Sequence, residues 1–226
     1  MIMRLVGTLF FIRACFLVLI IVILYSMEVI ILKRIIVATR NSGKILEIRE
    51  IFKDYEVLSI EDIEKELSTY IVINEDKDTF RANALEKVRC LYDSVGEDFI
   101  CMADDSGLEI DYLNGFPGVK TARWMKGTDE ERNGAIIKKM EGVSDRVCHY
   151  TTCIGIKGKD FEVAFSDTLD GIIGKCSRGS QGFGFDPIFF VGDKSLAELS
   201  MEEKLMISPR RKALEQALNF LESRVE

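Results

Sequence analysis

The stretch FICMADDSGLEIDYLNGFPG, residues 99–118, sets two aspartates, Asp104 and Asp105, directly behind an apolar run. FICMA reads as a central strand, because a short apolar run bounded by turn signals suits a strand buried on both faces. GLEIDYL alternates and reads as a second strand, and NGFPG supplies turn residues. Two like charges at the mouth of a buried strand raise each other's pKa and call for a cation. The plainer reading is a strand end whose acids face water.

Working outward, RIIVAT (34–39) is a short β-branched strand and RNSGK a loop. Ile45, Ile48, Ile51 and Phe52 recur at helical spacing, predicting a helix over 43–54 with Ser42 as its N-cap. YEVLSI is a second strand. Residues 61–77 are acidic and irregular, which suits a surface segment. Phe80, Ala84, Leu85, Val88, Leu91 and Tyr92 mark a helix over 78–95. TDEERNGAIIKKMEG reads as a helix with an acidic first turn, closed by Gly142. RVCHYTTCIGIKGKDFEVAFSDTLDGIIG is two strands about a Gly-Lys-Asp turn. SRGSQGFGFDPIFF is a glycine-rich loop leading into a strand. In SPRRKALEQALNFLESRVE, Ser208 fits an N-cap and Pro209 the first helical position. Strands and helices alternate early and strands cluster in the middle, so the fold class is α/β, a mixed central sheet flanked by helices.

Of 226 residues, 47% are hydrophobic, enough for a core and too many for disorder. A net charge of −7 argues against nucleic acid as a partner. It leaves room for a small anion held by local Lys and Arg or by a metal. Six cysteines lack CxxC spacing and there is one histidine, so no zinc template is present. The cysteines read as reduced thiols of a cytoplasmic protein. The one histidine, His149, sits in an alternating strand and reads as a packed or surface side chain, which leaves acid–base work to carboxylates or metal-bound water. Residues 1–33 are strongly apolar but interrupted by Arg4, Arg13 and Glu28. The uninterrupted part, 14–25, falls short of the about 20 residues of a span. Three readings stand: a signal-like or anchoring segment, an unusual spanning helix, or an upstream start-site artefact with the true start at Met27. The last is favoured, and a membrane is a partner only if the segment is real.

Three further stretches could carry chemistry. ATRNSGK lies between the first strand and first helix, where free N–H groups and the helix dipole suit phosphate. Lys44 adds charge, but Walker A spacing is absent. SQGFGFDP offers glycines for close backbone approach, Phe183 and Phe185 for stacking a base, and Asp186 held extended before Pro187. EEKLMISPRRKA brings Lys204, Arg210, Arg211 and Lys212 near a helix start. Singly, each has a plain alternative: a capped turn, a hairpin with core phenylalanines, a solvated basic face. Together with the acidic pair they suggest a nucleotide plus Mg²⁺, which takes one or two carboxylates and substrate phosphates.

From about residue 34 to 221 the chain resembles the inosine triphosphate pyrophosphatase family, which acts on unusual purine nucleoside triphosphates. The likeness rests on ATRNSGK, TFRANALEKV, ADDSGLEIDYLNGFPGVKTAR, GFGFDPIF and EEKLMISPRRKAL in the family's order. It implies hydrolysis of ITP, dITP and XTP to monophosphate and pyrophosphate with Mg²⁺. It also implies a homodimer of two-lobed subunits, the cleft lying between lobes over a long mixed sheet. Carried over, Thr39, Arg40, Asn41, Ser42, Gly43 and Lys44 hold the triphosphate. Asp105 binds metal and activates water, with Asp104 beside it and Ser106 at the ligand. Phe183, Gly184, Phe185 and Asp186 frame base and sugar. Lys204, Pro209 and Arg210 reach phosphate or base, and Glu75 is the candidate acid before the second helix that helps hold metal.

Three positions depart from the family's pattern. Arg40 replaces Gly, Ala82 replaces Glu, and Pro209 replaces the His of S-H-R. The last bears on base recognition. Hypoxanthine and xanthine carry an O6 acceptor where adenine has an amino donor, so donors at that edge reject adenine by staying unpaired. Two alternatives stand beside this reading: a Maf-like pyrophosphatase for other nucleotides, and a catalytically weak nucleotide-binding protein.

Overall fold

The computed structural model describes residues 33–121 and 123–224. The chain divides into two units, Met1–Lys33 and Arg34–Glu226. The expectations for residues 1–33 lie outside the described residues, save Lys33, which opens the first strand.

β1 (Lys33–Val37) leads into α1 (Ser42–Ile51), β2 (Tyr55–Ser59), α2 (Ile60–Leu67) and α3 (Phe80–Val95). Then come β3 (Ile100–Ile110), the short β4 (Phe116–Pro117), α4 (Asp129–Lys139) and the hairpin β5 (Val147–Gly158) and β6 (Phe161–Ile173). β7 (Phe189–Val191), β8 (Lys194–Ser195), α5 (Met201–Ile207) and α6 (Pro209–Glu222) follow. The strands make one eight-stranded sheet in the order β2-β1-β3-β5-β6-β7-β8, with β4 on β3. β1 and β3 are parallel, and the pairs from β3 onward are antiparallel. The mixed sheet flanked by helices is the α/β class expected from the sequence.

β3 organises the rest. Side chains alternate across a strand. Met102 therefore packs with Ile45, Ile48, Ala213 and Leu214 of α1 and α6, while Cys101 and Ala103 pack with Val88 and Leu91 of α3. Farther along, Leu108 and Ile110 join a separate cluster with Ile136 and Met140 of α4 and Phe189 of β7. Between these apolar clusters lie Asp104, Asp105 and Ser106. The sequence suggested two strands broken at the acids; β3 instead runs unbroken for 11 residues. Each acid meets a cation from a packed helix, and sequence spacing cannot show that.

Two other local readings change. Residues 61–77 were expected to be irregular, but α2 fills the first part of that stretch. Ser59 and Asp62 form a complete capping box, and Ile60 and Ile63 are buried. The N-cap of α1 is Asn41 rather than Ser42: Asn41 Oδ1 accepts the Lys44 N–H at 3.1 Å, and Ser42 is the first helical residue. The α6 caps fall where expected, with Ser208 accepting the Arg211 N–H and Pro209 at the first position.

Candidate active site

The pleat of β3 sends the two acids to opposite faces. Asp104, 2% exposed, points toward α1 and α6. Its Oδ1 takes the Lys44 ammonium and the Ser106 hydroxyl, and its Oδ2 accepts from Arg210 Nε at 2.7 Å. Arg210 in turn donates to Glu47 Oε2 at 2.8 Å and is itself buried. Burial alone would raise the Asp104 carboxyl, but Lys44 and Arg210 outweigh it and hold the acid well below the ordinary carboxylate range.

Asp105 faces α3. Its Oδ1 accepts from Lys87 Nζ at 2.7 Å, and its Oδ2 is buried with no hydrogen-bond partner. Burial pushes this carboxyl above its ordinary value, with Lys87 and the nearby Asn83 amide opposing and Asp104 adding to the rise. The two acids do not face each other, and each has its own protein partners.

Lys87 also pairs with Glu75, which a second ion pair ties to Arg123. Glu75 reaches this place because Asn83 clamps the segment before α3. Asn83 Oδ1 accepts the Lys77 N–H at 2.9 Å and its Nδ2 donates to the Lys77 carbonyl at 3.3 Å. Asp105 and Glu75 thus meet at one ammonium, and one carboxylate oxygen between them lacks a partner. Hard oxygen donors of this kind, completed by phosphate oxygens and water, suit Mg²⁺. Among the described residues no group of three or more potential ligand side chains occurs. Two carboxylates suffice for a cation that keeps water and substrate oxygens.

A cleft of about 470 Å³ lies over this region, within the usual range for small-molecule sites. Thr39, Arg40, Asn41 and Lys44 line one wall; Glu75, Lys87, Asp104 and Ser106 line its floor; Phe183, Gly184 and Phe185 line another wall. Asp105, Ser42 and Gly43 are not among the lining residues. A second cavity of about 20 Å³ adjoins it, lined by Asp186, Lys204, Ser208, Pro209 and Arg210, with Phe183 and Tyr150 on both. Burial pushes the Tyr150 phenol up to about 12.

Gly107 closes the floor. A Cβ there would lie 2.4 Å from Thr121 Oγ1 and 2.7 Å from the Gly118 carbonyl, so only glycine lets the 118–121 segment pack on β3. The aromatic loop is knotted by Asp186, whose Oδ2 accepts the Phe183 N–H at 2.8 Å and Lys204 Nζ at 2.6 Å. Gly182, at φ +80°, would bring a Cβ to 2.0 Å from that same oxygen. Phe183 lies under Lys204 Nζ at 4.9 Å and Arg210 Cζ at 5.6 Å, which places positive charge over its ring. Phe185 was expected to stack as well. It is 5% exposed and packs among Ile188, Phe189 and Leu196, so it belongs to the core.

Arg40, in the loop between β1 and α1, is committed elsewhere. Both its terminal nitrogens reach the Glu64 carboxylate at 2.7 Å, and its guanidinium covers Tyr70 at 5.0 Å. Lys87, Asn83, Thr121, Tyr150, Asp129 and Arg132 were given no role from sequence. For Asn83 and Lys87 a signal existed: they stand four apart on the apolar face of α3, alongside Phe80, Ala84, Val88 and Leu91.

Fold and site together define an α/β protein with a cleft over buried carboxylates. The chain matches the Ham1 family over residues 35–220, and it belongs to that family. It is 42% identical over 201 residues to a dITP/XTP pyrophosphatase of Caldanaerobacter subterraneus subsp. tengcongensis, covering 85% of this chain and 98% of that protein. It is 38% identical over 193 residues to a dITP/XTP pyrophosphatase of Campylobacter jejuni subsp. doylei, covering 81% and 94%. The Staphylococcus aureus Ham1 protein superposes with a TM-score of 0.76 at 35% identity, covering 85% of this chain and all of that one.

Proposed function

We propose that this chain hydrolyses unusual purine nucleoside triphosphates such as dITP, ITP and XTP to the monophosphate and pyrophosphate, with Mg²⁺. Family membership and relatives named for dITP and XTP support the substrate class. One observation carries the chemistry. Asp105 is buried and keeps one carboxylate oxygen unpartnered beside the Lys87–Glu75 pair.

In this reading the N-terminus of α1, Thr39, Asn41 and Lys44 take the triphosphate. The Phe183 ring takes the base, and Lys204 and Arg210 lie at its edge. Water adds to phosphorus, the α–β bridging P–O bond breaks, and pyrophosphate leaves. The proton lost by the water passes to Asp105 Oδ2, the oxygen that no protein group occupies. Glu75, with the Asp105 carboxylate beside it, would hold Mg²⁺, which would supply charge neutralisation on the phosphates and a more acidic water. Lys44 and Arg210 keep Asp104 ionised, so that a fixed negative charge orients Lys44 in the cradle. The family resemblance extends the reading to a homodimer of two-lobed subunits in the cytoplasm, with 34–226 as the catalytic domain. Among the described residues no helix is long and apolar enough to cross a membrane.

The test is pyrophosphate release from dITP, XTP, ATP and dTTP by the wild type and by Asp105→Asn, at saturating Mg²⁺. The wild type is expected to prefer dITP and XTP. Asp105→Asn is expected to lose about 10²–10⁴-fold in rate, the usual size of a positioned general base. Its far-UV circular dichroism stays unchanged, because Glu75 still pairs with Lys87. Faster hydrolysis of dTTP, or full activity in the Asn variant, would overturn the assignment.

A further inference from the structure

α4 grips the aromatic loop at a single residue. Gly184, at φ +64°, donates its N–H to Asp129 Oδ2 at 2.9 Å, and its carbonyl accepts from Asn133 Nδ2 at 3.0 Å. Asp129 and Asn133 stand four apart on α4, so one helix face presents an acceptor and a donor to the two polar groups of the same loop residue. The Asp129 carboxylate is itself fixed, since its Oδ1 accepts from Arg132 Nη2 at 2.6 Å and Arg132 Nη1 donates to the Gly127 carbonyl at 2.7 Å. Asn133 is 2% exposed. On the other side of Phe183, Asp186 holds the Phe183 N–H. The ring is therefore carried between two anchors, and the α4 anchor, though Asp129 and Arg132 line the same cleft, makes no hydrogen bond to Thr39, Asn41 or Lys44.

A glycine-rich loop left to itself samples many conformers, and ordering it on binding costs affinity. A loop already clamped avoids that cost. We propose that Asp129 and Asn133 are positioning residues: by clamping Gly184 they hold the Phe183 ring ready for the purine of the substrate. The proposal rests on the reading that Phe183 stacks the base. Its signature is a loss confined to the base end of the ligand, with phosphate binding spared.

Asp129 is the residue to change, because its side chain is half-exposed whereas Asn133 is buried and its truncation risks the fold. In Asp129→Ala the Gly184 amide, followed by NMR, is expected to exchange faster than in wild type. KM for dITP should rise about tenfold with kcat within about twofold, the pattern of lost uniform binding by one charge-assisted hydrogen bond. The inhibition constant of inorganic pyrophosphate, which engages only the phosphate end, should not move. Asp129→Asn, which keeps an acceptor, should recover most of the KM. An unchanged KM in Asp129→Ala would overturn the proposal, as would a parallel rise in KM and in the pyrophosphate inhibition constant. Phe183→Ala separates the two readings. If it leaves KM unmoved, the stacking assignment itself fails. If it raises KM while Asp129→Ala does not, only the clamp fails.

Discussion

Asp104 and Asp105 are neighbours in sequence with opposite electrostatic fates. Asp104 gains two cations and is driven below the ordinary range; Asp105 gains one and is left above it. Environments that push two carboxylates apart in pKa are how one site divides a fixed charge from a proton acceptor. Pro209 shows the same dependence on surroundings. It starts α6, lacks an N–H, and lines the small cavity beside Lys204, where its ring offers no donor. In Pro209→His a donor is restored at that edge. One added hydrogen bond to O6 contributes about 0.5–1.5 kcal/mol, or about 2- to 12-fold. The expected outcome is a rise of that size in the ITP-over-ATP ratio of kcat/KM, with metal dependence unchanged. A flat ratio would show that position 209 does not read the base. The residue types at the site were legible from the motifs. The partners of Asp105 were not, because Lys87 and Glu75 reach it only through α3 and the segment before it.

Helix caps explain the departure at Ala82. Thr79 caps α3 by accepting the Ala82 N–H at 3.1 Å. A Glu at this third position would complete a capping box, as Asp62 and Glu131 do for α2 and α4. With Ala82 the α3 cap has the Thr79 half of that box only. Ala82→Glu is expected to stabilise the protein by about 0.3–1.5 kcal/mol, the range for such a device, and to raise Tm by a few degrees without changing kcat. Thermal unfolding followed by circular dichroism measures it, and a lower Tm would show that the cap is not the role of that position. The helix at 78–95 was legible from apolar spacing, and the one at 128–142 from its acidic first turn and closing glycine. α2 was missed because its acidic content outweighed a short apolar stripe, although Ser59 and Asp62 already marked its start.

For the whole molecule, β3 passes from one apolar cluster to another, and the cleft opens where its polar interval lies. Every residue placed at the site falls within Arg34–Glu226. A chain beginning at Met27 is therefore expected to match the full-length chain in kcat and KM for dITP. Steady-state assays of the two side by side check this, and a large loss in the shorter chain would assign residues 1–26 a part in folding or catalysis.

The sequence by itself determined the class of the fold, the order of its main elements and most of the residues that meet at the cleft. Those signals are local: apolar periodicity, caps, and the short motifs that carry the family resemblance. Only the tertiary structure decided that Asp104 and Asp105 face apart, that Arg40 is spent on Glu64, that Phe185 is core, and that α4 clamps Gly184. Each is settled by residues far away in the chain. Whether a side chain meets a cation, a ring or solvent depends on which element packs over it, and burial then sets the strength of that meeting.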